Sequence, residues 1–283
     1  MTRIIECPRD AMQGIEEYIP IATKVNYINK LLKVGFDTID FGSFVSPKSV
    51  PQMRDTAEVL RKLNLNGSSS FLLAIVANLR GAEDAVMFDE IDFLGFPFSV
   101  SETFQKKNTN STIDQSLARV EEIHDTCVRT NKELIIYLSM AFGNPYGDPW
   151  SFDEIGRRVE QLTDLGVNTI ALSDTVGVSN PGNIKHLYSN LTEEFPFIEF
   201  GAHLHSSPDS WHEKIQAAYD SGCRRFDAAL KGWGGCPMAQ DDLVGNVATE
   251  NLIAFLKQNE DDFEINEHEF NLALEAANSI FKF

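Results

Sequence analysis

Positive charge is scarce in this 283-residue chain: 24 lysines and arginines face 42 aspartates and glutamates, a formal net charge of −18. A surface of that sign repels nucleic acid and anionic membrane, so neither is expected as a partner. Cysteine is sparse as well. Cys7, Cys127, Cys223 and Cys236 stand far apart without CxxC spacing, which suggests neither a zinc ribbon nor a disulfide framework. No apolar run approaches membrane-spanning length, and the opening MTRIIECPRDAMQG lacks a basic segment followed by an apolar one. The expectation is a cytoplasmic protein with reduced thiols.

What the chain does have is a globular composition, 43% hydrophobic and 23% charged, enough to bury a large core. Short apolar runs at 3–7, 36–41, 71–76, 90–95, 133–138, 168–172, 198–203 and 225–230 read as strands. Between them, amphipathic stretches near 21–34, 54–63, 79–88, 113–130, 152–165, 181–194, 209–221 and 248–258 read as helices. Glycines in LLKVGFDTIDF, TDLGVNTIAL and YDSGCRRFDAAL fall where helix C-caps belong. Eight strand–helix units in one chain predict a (β/α)8 TIM barrel, a single domain over 1–283, with an additional C-terminal helix in NLALEAANSIFKF. An open doubly wound sheet shares the local pattern. The polar candidates follow strands 1, 2, 7 and 8, however, and these are neighbours only in a closed sheet.

Four segments carry chemistry-bearing residues. In GAHLH, strand alternation puts His203 and His205 on one face, spaced to grip one cation or simply to hydrogen-bond within the sheet. Asp10 after strand 1, Asp40 at the end of strand 2 and Asn246 after strand 8 would meet them at the mouth of a barrel. Arg9 lies beside Asp10, either as a surface salt bridge or as a rigid fork of donors for a developing enolate. KGWGGCPMAQ carries Cys236 on a glycine-rich run suited to close backbone approach; an inert thiol is the plainer alternative. SETFQKKNTNST reads as a polar loop after strand 4. Lys106, Lys107 and Asn108 there, with Lys231, are candidates for a local basic patch able to hold phosphates against the overall negative field. No role is assigned to the turn-rich AFGNPYGDPW.

Taken together, PRDAMQ, DFGSFVSPKSVPQM, KKNTNST, SDTVGVSNPG, GAHLH, GGCPMAQ and GNVATE resemble the 3-hydroxy-3-methylglutaryl-CoA lyase family of TIM-barrel metallolyases, along nearly the whole chain. The GGCP segment separates this branch from the related condensing synthases. The resemblance implies that Asp10, His203, His205 and Asn246 bind one Mg²⁺ or Mn²⁺ ion, that Arg9 faces the thioester carbonyl, that Asp40 stands near the metal shell, that Cys236 is the loop thiol, and that Gln13, Ser43 and Thr175 line the substrate pocket. Four positions depart from the family pattern: Ala11 for glycine, Asp40 for glutamate, Ala171 for serine and Met238 for an aromatic residue.

The implied reaction is retro-Claisen cleavage of 3-hydroxy-3-methylglutaryl-CoA to acetoacetate and acetyl-CoA, a step of leucine degradation, with an acyl-CoA as partner and a homodimer as the implied assembly. Asp10 or His203 would take the hydroxyl proton, Arg9 would stabilise the enolate, and Cys236 would protonate its carbon. Two other readings use the same residues: a metal-dependent aldolase or condensing synthase on another 3-hydroxy acid, with no need for Cys236, and a non-catalytic metal-stabilised barrel tolerant of losing Arg9.

Overall fold

Each of the eight apolar runs becomes a parallel strand, because a strand covered on both faces has no polar face to alternate with its apolar one. The computed structural model describes residues 1–235 and 244–281. Its strands are β1 (Arg3–Glu6), β2 (Thr38–Ser43), β3 (Phe71–Ile75), β4 (Phe93–Ser99), β5 (Glu133–Ser139), β6 (Thr169–Ser173), β7 (Glu199–His203), β8 (His205–Ser206), β9 (Arg225–Ala228) and β10 (Gly245–Asn246). The order β1-β2-β3-β4-β5-β6-β7-β9 closes into a barrel, and β8 and β10 form a separate two-stranded ladder. Closure runs through the β1–β9 register, from Arg3 opposite Arg225 to Glu6 opposite Ala228. This decides for the TIM barrel and against an open sheet.

The helices are α1 (Pro8–Gln13), α2 (Ile21–Val34), α3 (Thr56–Leu60), α4 (Leu79–Ala85), α5 (Glu102–Thr109), α6 (Ile113–Arg129), α7 (Phe152–Asp164), α8 (Pro181–Glu194), α9 (Trp211–Asp220), α10 (Thr249–Gln258) and α11 (Glu267–Ile280). The last is the expected C-terminal helix, joined to the end of α2 by Asn266 N donating to Val34 O at 2.7 Å. Gly35, Gly166 and Gly222 end their helices at φ of 88°, 92° and 91°, the left-handed conformation that the three sequence signals predict.

Two expectations need correction. The segment read as a polar loop after strand 4 is helix α5, capped by Ser101 Oγ, which accepts from Phe104 N at 3.1 Å. Only Phe104 and Gln105 of that helix are buried, so its apolar stripe is too short to give a periodic signal. Asp40 lies inside β2 rather than at its end. A register shift between Asp40 and Gly42 marks a bulge there, the local device by which a strand re-aims a side chain.

The core has two parts. A large one fills the space between barrel and helices. A small one lies inside the barrel, where Leu73, Ile135, Tyr137 and Ala171 pack together below the mouth. Ala171 is therefore part of the barrel floor, and a methyl group there leaves room for Tyr137.

Candidate active site

Two short elements at the C-terminal ends of the strands build the site. The first is α1, which starts directly after β1 with Pro8 in its first turn, where a missing N–H costs nothing. One turn carries Arg9, Asp10 and Gln13 on a common face. Arg9 Nε donates to both oxygens of Asp40 at 3.2 and 3.0 Å, and Nη2 donates to Asp40 Oδ2 at 2.5 Å. Nη1 donates to Asp10 Oδ1 and to Gln13 Oε1, both at 3.0 Å. Gln13 Nε2 in turn donates to Asp10 Oδ1 at 2.8 Å. These bonds occupy four of the five guanidinium hydrogens and leave one on Nη2 without a partner among the described residues.

The three ionisable groups respond differently to burial. Burial raises the Asp10 carboxyl, but the Arg9 charge, then His203 and His205, more than offset it and bring it down to about 2. At Asp40 burial outweighs Arg9, and the carboxyl is pushed up to about 6. Arg9 is held firmly as a cation: burial opposes its charge, yet Asp40 and Asp10 prevail.

The second element is the β8–β10 ladder, in which Asn246 pairs with His205 and Gly245 with Ser206. His203, at the end of β7, lies beside it. His205 Nδ1 donates to the carbonyl of Thr175 at 3.2 Å; since a carbonyl only accepts, Nε2 carries the lone pair. That Nε2 is buried with no hydrogen-bond partner among the described residues. His203 Nδ1 lies 3.0 Å from Asp227 Oδ2, which fixes the other nitrogen as the one facing the mouth. Burial lowers His203, but the Asp227 hydrogen bond and charge raise it on balance. His205 is held low by burial and by its neighbour His203.

One donor atom each from Asp10, His203 and His205 lies within 4.8 Å of the others. Asn246 Nδ2 donates to Asp10 Oδ2 at 2.6 Å and to Trp233 O at 2.9 Å, which turns its carbonyl oxygen away from those acceptors. An orphaned imidazole nitrogen, an ionised carboxylate and an amide oxygen suit a divalent cation, because an unfilled buried lone pair otherwise costs about 1–3 kcal/mol. The donor set fits a divalent metal ion.

Glycine is required at 234. Its φ is +97°, and a Cβ there would stand 2.8 Å from Asp10 O and 2.7 Å from Asn246 Nδ2. The next residue, Gly235, donates its N–H to Asp10 Oδ2 at 3.2 Å. The glycine run thus serves close approach to the carboxylate.

The other sequence candidates are distributed as follows. Ser43 ends β2 with Oγ donating to Ile75 O at 3.1 Å, and Thr175 Oγ1 accepts from Met140 N at 2.8 Å. Ala11 lies in α1, buried. Lys106, Lys107 and Asn108 are exposed on α5 after β4, where Lys106 pairs with Glu102 at 2.9 Å and Lys107 covers the Tyr146 ring. Lys231 follows β9, half the ring of strands away, so these lysines do not form one patch. Cys236 and Met238 lie outside the described residues. Sequence reasoning missed Asp227, which sits within strand β9 (RFDA), and Tyr137, whose ring meets His203 edge-on at a centroid distance of 5.5 Å. The signal available for Asp227 was a lone carboxylate in a fully buried strand, since such a group needs a partner.

Comparison with known proteins places this geometry in context. A family model described as HMGL-like matches residues 4–276. The 3-hydroxy-3-methylglutaryl-CoA lyase, cytoplasmic, of Rattus norvegicus is 34% identical over 258 residues, covering 90% of this chain and 74% of that protein. A hydroxymethylglutaryl-CoA lyase of Bacillus subtilis is 31% identical over 89% of this chain and 83% of its own length. Among solved structures, an HMG-CoA lyase from Acinetobacter baumannii in complex with coenzyme A and 3-methylmalate superposes with a TM-score of 0.90 at 30% identity, covering 99% of this chain and 91% of that one. A putative aldolase domain from Bacteroides vulgatus, at 14% identity and a TM-score of 0.68, shares the fold alone.

Proposed function

This chain belongs to the HMGL-like family, and on that premise we infer that it is a carbon–carbon lyase cleaving 3-hydroxy-3-methylglutaryl-CoA to acetoacetate and acetyl-CoA. The observation that carries the reading is the joining of Arg9 to the Asp10, His203, His205 and Asn246 constellation through hydrogen bonds to one carboxylate, Asp10.

Asp10, His203, His205 and Asn246 would hold the divalent ion, which we take to be Mg²⁺ or Mn²⁺ from the mixed oxygen and imidazole donors. When bound, it supplies Lewis acidity that lowers the pKa of the substrate hydroxyl. The hydroxyl proton passes to the Asp10–His203 pair. With Nδ1 turned to Asp227 and its other nitrogen toward the ion, His203 has no free lone pair, so within the pair the proton goes to the Asp10 carboxylate, while Asp227 keeps His203 oriented. As the C2–C3 bond breaks, the hydroxyl oxygen becomes the ketone of acetoacetate and the electron pair moves onto the thioester as an enolate. Arg9 offers its remaining Nη2 hydrogen to that oxygen. Cys236, the residue after Gly235, delivers a proton to C2. Gln13, Ser43 and Thr175 line the pocket, and Lys106, Lys107 and Asn108 contact the CoA moiety. A cytoplasmic location, a homodimer, a role in leucine degradation and indifference to nucleic acid complete the reading. No described helix is long and apolar enough to cross a membrane.

The aldolase and synthase readings are not favoured, since the aldolase likeness is one of fold alone. A coupled assay of acetyl-CoA release from 3-hydroxy-3-methylglutaryl-CoA, with and without Mg²⁺ and reductant, tests the reaction. Release that needs the metal is expected; none under any condition overturns the substrate. Cys236→Ser should lower turnover by roughly 10²–10⁴-fold, the cost of losing a positioned acid–base group, with Mn²⁺ binding retained. Turnover at the wild-type rate removes Cys236 from the mechanism.

A further inference from the structure

Behind His203 the barrel interior holds a second set of donor atoms. The lyase reading uses the nitrogen of His203 that faces the mouth, while Nδ1 faces inward to Asp227. Cys7, the residue before α1, is completely buried, and a donor atom from each of Cys7, His203 and Asp227 lies within 4.8 Å of the other two. Two further atoms at this place lack partners among the described residues. Asp227 Oδ1 is buried and makes no hydrogen bond, although its other oxygen is engaged. Tyr137 Oη is likewise buried and unpartnered, on the ring that meets His203 edge-on. A packed core seldom leaves such atoms unmatched. The charges facing Cys7 include Asp227, Asp40 and Asp10 against the cation Arg9, a field that attracts another cation.

We propose that Cys7, His203 and Asp227 form a second cation site, selective for a thiophilic divalent ion such as Zn²⁺, which shares His203 with the outer site and therefore excludes the ion there. The selectivity follows from the donors: a thiolate favours Zn²⁺ and discriminates against Mg²⁺, whereas the outer site has no sulfur. The exclusion follows from proton balance. Binding inward through Nδ1 moves the imidazole proton to Nε2 and releases the thiol proton to solvent. Nε2–H then has no lone pair for the outer ion. Zn–S of about 2.3 Å and Zn–N of about 2.0 Å bring tetrahedral donors to roughly 3.5 Å, so the three groups need only a small inward movement.

The experiment uses the metal-free full chain and Co²⁺ as a spectroscopic substitute for Zn²⁺, without substrate, so its outcome is independent of the lyase reading. A thiolate-to-Co²⁺ charge-transfer band is expected in the near ultraviolet for the wild type and for Cys236→Ser, and added Zn²⁺ should abolish it. Cys7→Ala should lack the band. In a parallel titration, the Zn²⁺ needed to displace bound Mn²⁺ should rise at least about 10-fold in Cys7→Ala, with Mn²⁺ affinity itself unchanged. Cys7→Ser provides the same comparison if the alanine variant is unstable. A band that persists without Cys7, that disappears with Cys236, or that never forms overturns the proposal.

Discussion

Glu6 and Asp10 stand four residues apart at the same corner of the barrel, both buried, and their surroundings drive them in opposite directions. Burial raises both carboxyls. At Asp10, Arg9, two histidines and Asn246 reverse the effect, and the group settles near 2. Glu6 meets no cation among the described residues: Thr249 Oγ1 donates to Oε2 at 2.5 Å and Leu230 N donates to Oε1 at 2.9 Å, and against burial and the Glu250 charge these neutral donors leave it pushed up to about 8. Asp10 points into the mouth, among groups that handle charge. Glu6 ties β1 to the chain just beyond β9 and to the start of α10. Burial alone therefore does not mark a functional carboxylate; the charge of its neighbours does.

Breaking the Asp10 side of that comparison should have the largest effect. Asp10→Asn keeps the shape and leaves Arg9 held by Asp40 and Gln13, so the fold should survive. Turnover should nevertheless drop by at least about 10³-fold, within the range for loss of an acid–base group, and calorimetry should show Mn²⁺ binding lost with it. Unchanged Mn²⁺ affinity in a folded Asp10→Asn protein removes Asp10 from the cation site. Arg9→Lys comes next. An ammonium retains the charge but not the fork that engages Asp40, Asp10 and Gln13 together, and kcat should fall by about 10²–10³-fold, as when one preorganised oxyanion donor is removed. The melting temperature should fall as well, because the buried Asp40 loses its bidentate partner. Near-normal kcat rules out the enolate-stabilising role.

These residues were legible in the sequence for a physical reason: they sit where a strand ends and polarity resumes, and PRD, HLH and GNV interrupt apolar runs. The barrel was legible because buried parallel strands are continuous apolar runs and left-handed caps require glycine. Helix α5 was not, since Phe104 and Gln105 give too narrow a stripe. The β8–β10 ladder was hidden because two residues cannot express a period, although that ladder puts Asn246 opposite His205. Asp227 was hidden for a different reason: it lies within strand β9 rather than where a strand ends, so no change of polarity marks it. The residue that backs a functional side chain lies deeper than the one it supports, and depth erases the contrast on which sequence reading depends.

Asp227→Asn tests that deeper layer. An amide offers its neutral oxygen or its NH₂ group to His203 Nδ1, and either choice weakens the hold on the tautomer. Mn²⁺ affinity should fall by about 10–100-fold, the range found when a carboxylate behind a metal-binding histidine is lost. Saturating Mn²⁺ should restore much of kcat, which a merely destabilised protein would not do. Failure of excess metal to rescue any turnover, with the fold intact, would falsify the positioning role.

The smallest effect, and the sharpest contrast with Asp10, belongs to Glu6→Gln. The folded pKa of Glu6, about 8, lies above the ordinary glutamate value of 4.5, so below pH 4.5 the folded and unfolded chains both hold its proton. Between pH 4.5 and 8 only the folded chain keeps it, and unfolding releases a proton. Stability from this group is thus fully present at low pH and is lost as pH rises through that window, at up to about 1.4 kcal/mol per pH unit. Glutamine remains neutral throughout and has no such dependence. Chemical denaturation of both proteins across the window isolates the difference from the background of other titrating groups. The variant should be destabilised at pH 5, because its NH₂ group faces a position that now accepts from Leu230 or Thr249, and that deficit should shrink steadily toward pH 8. A deficit constant with pH means that Glu6 is ionised in the folded protein, and then the neutral donors of Thr249 and Leu230 are enough to hold a buried charge that at Asp10 requires an arginine.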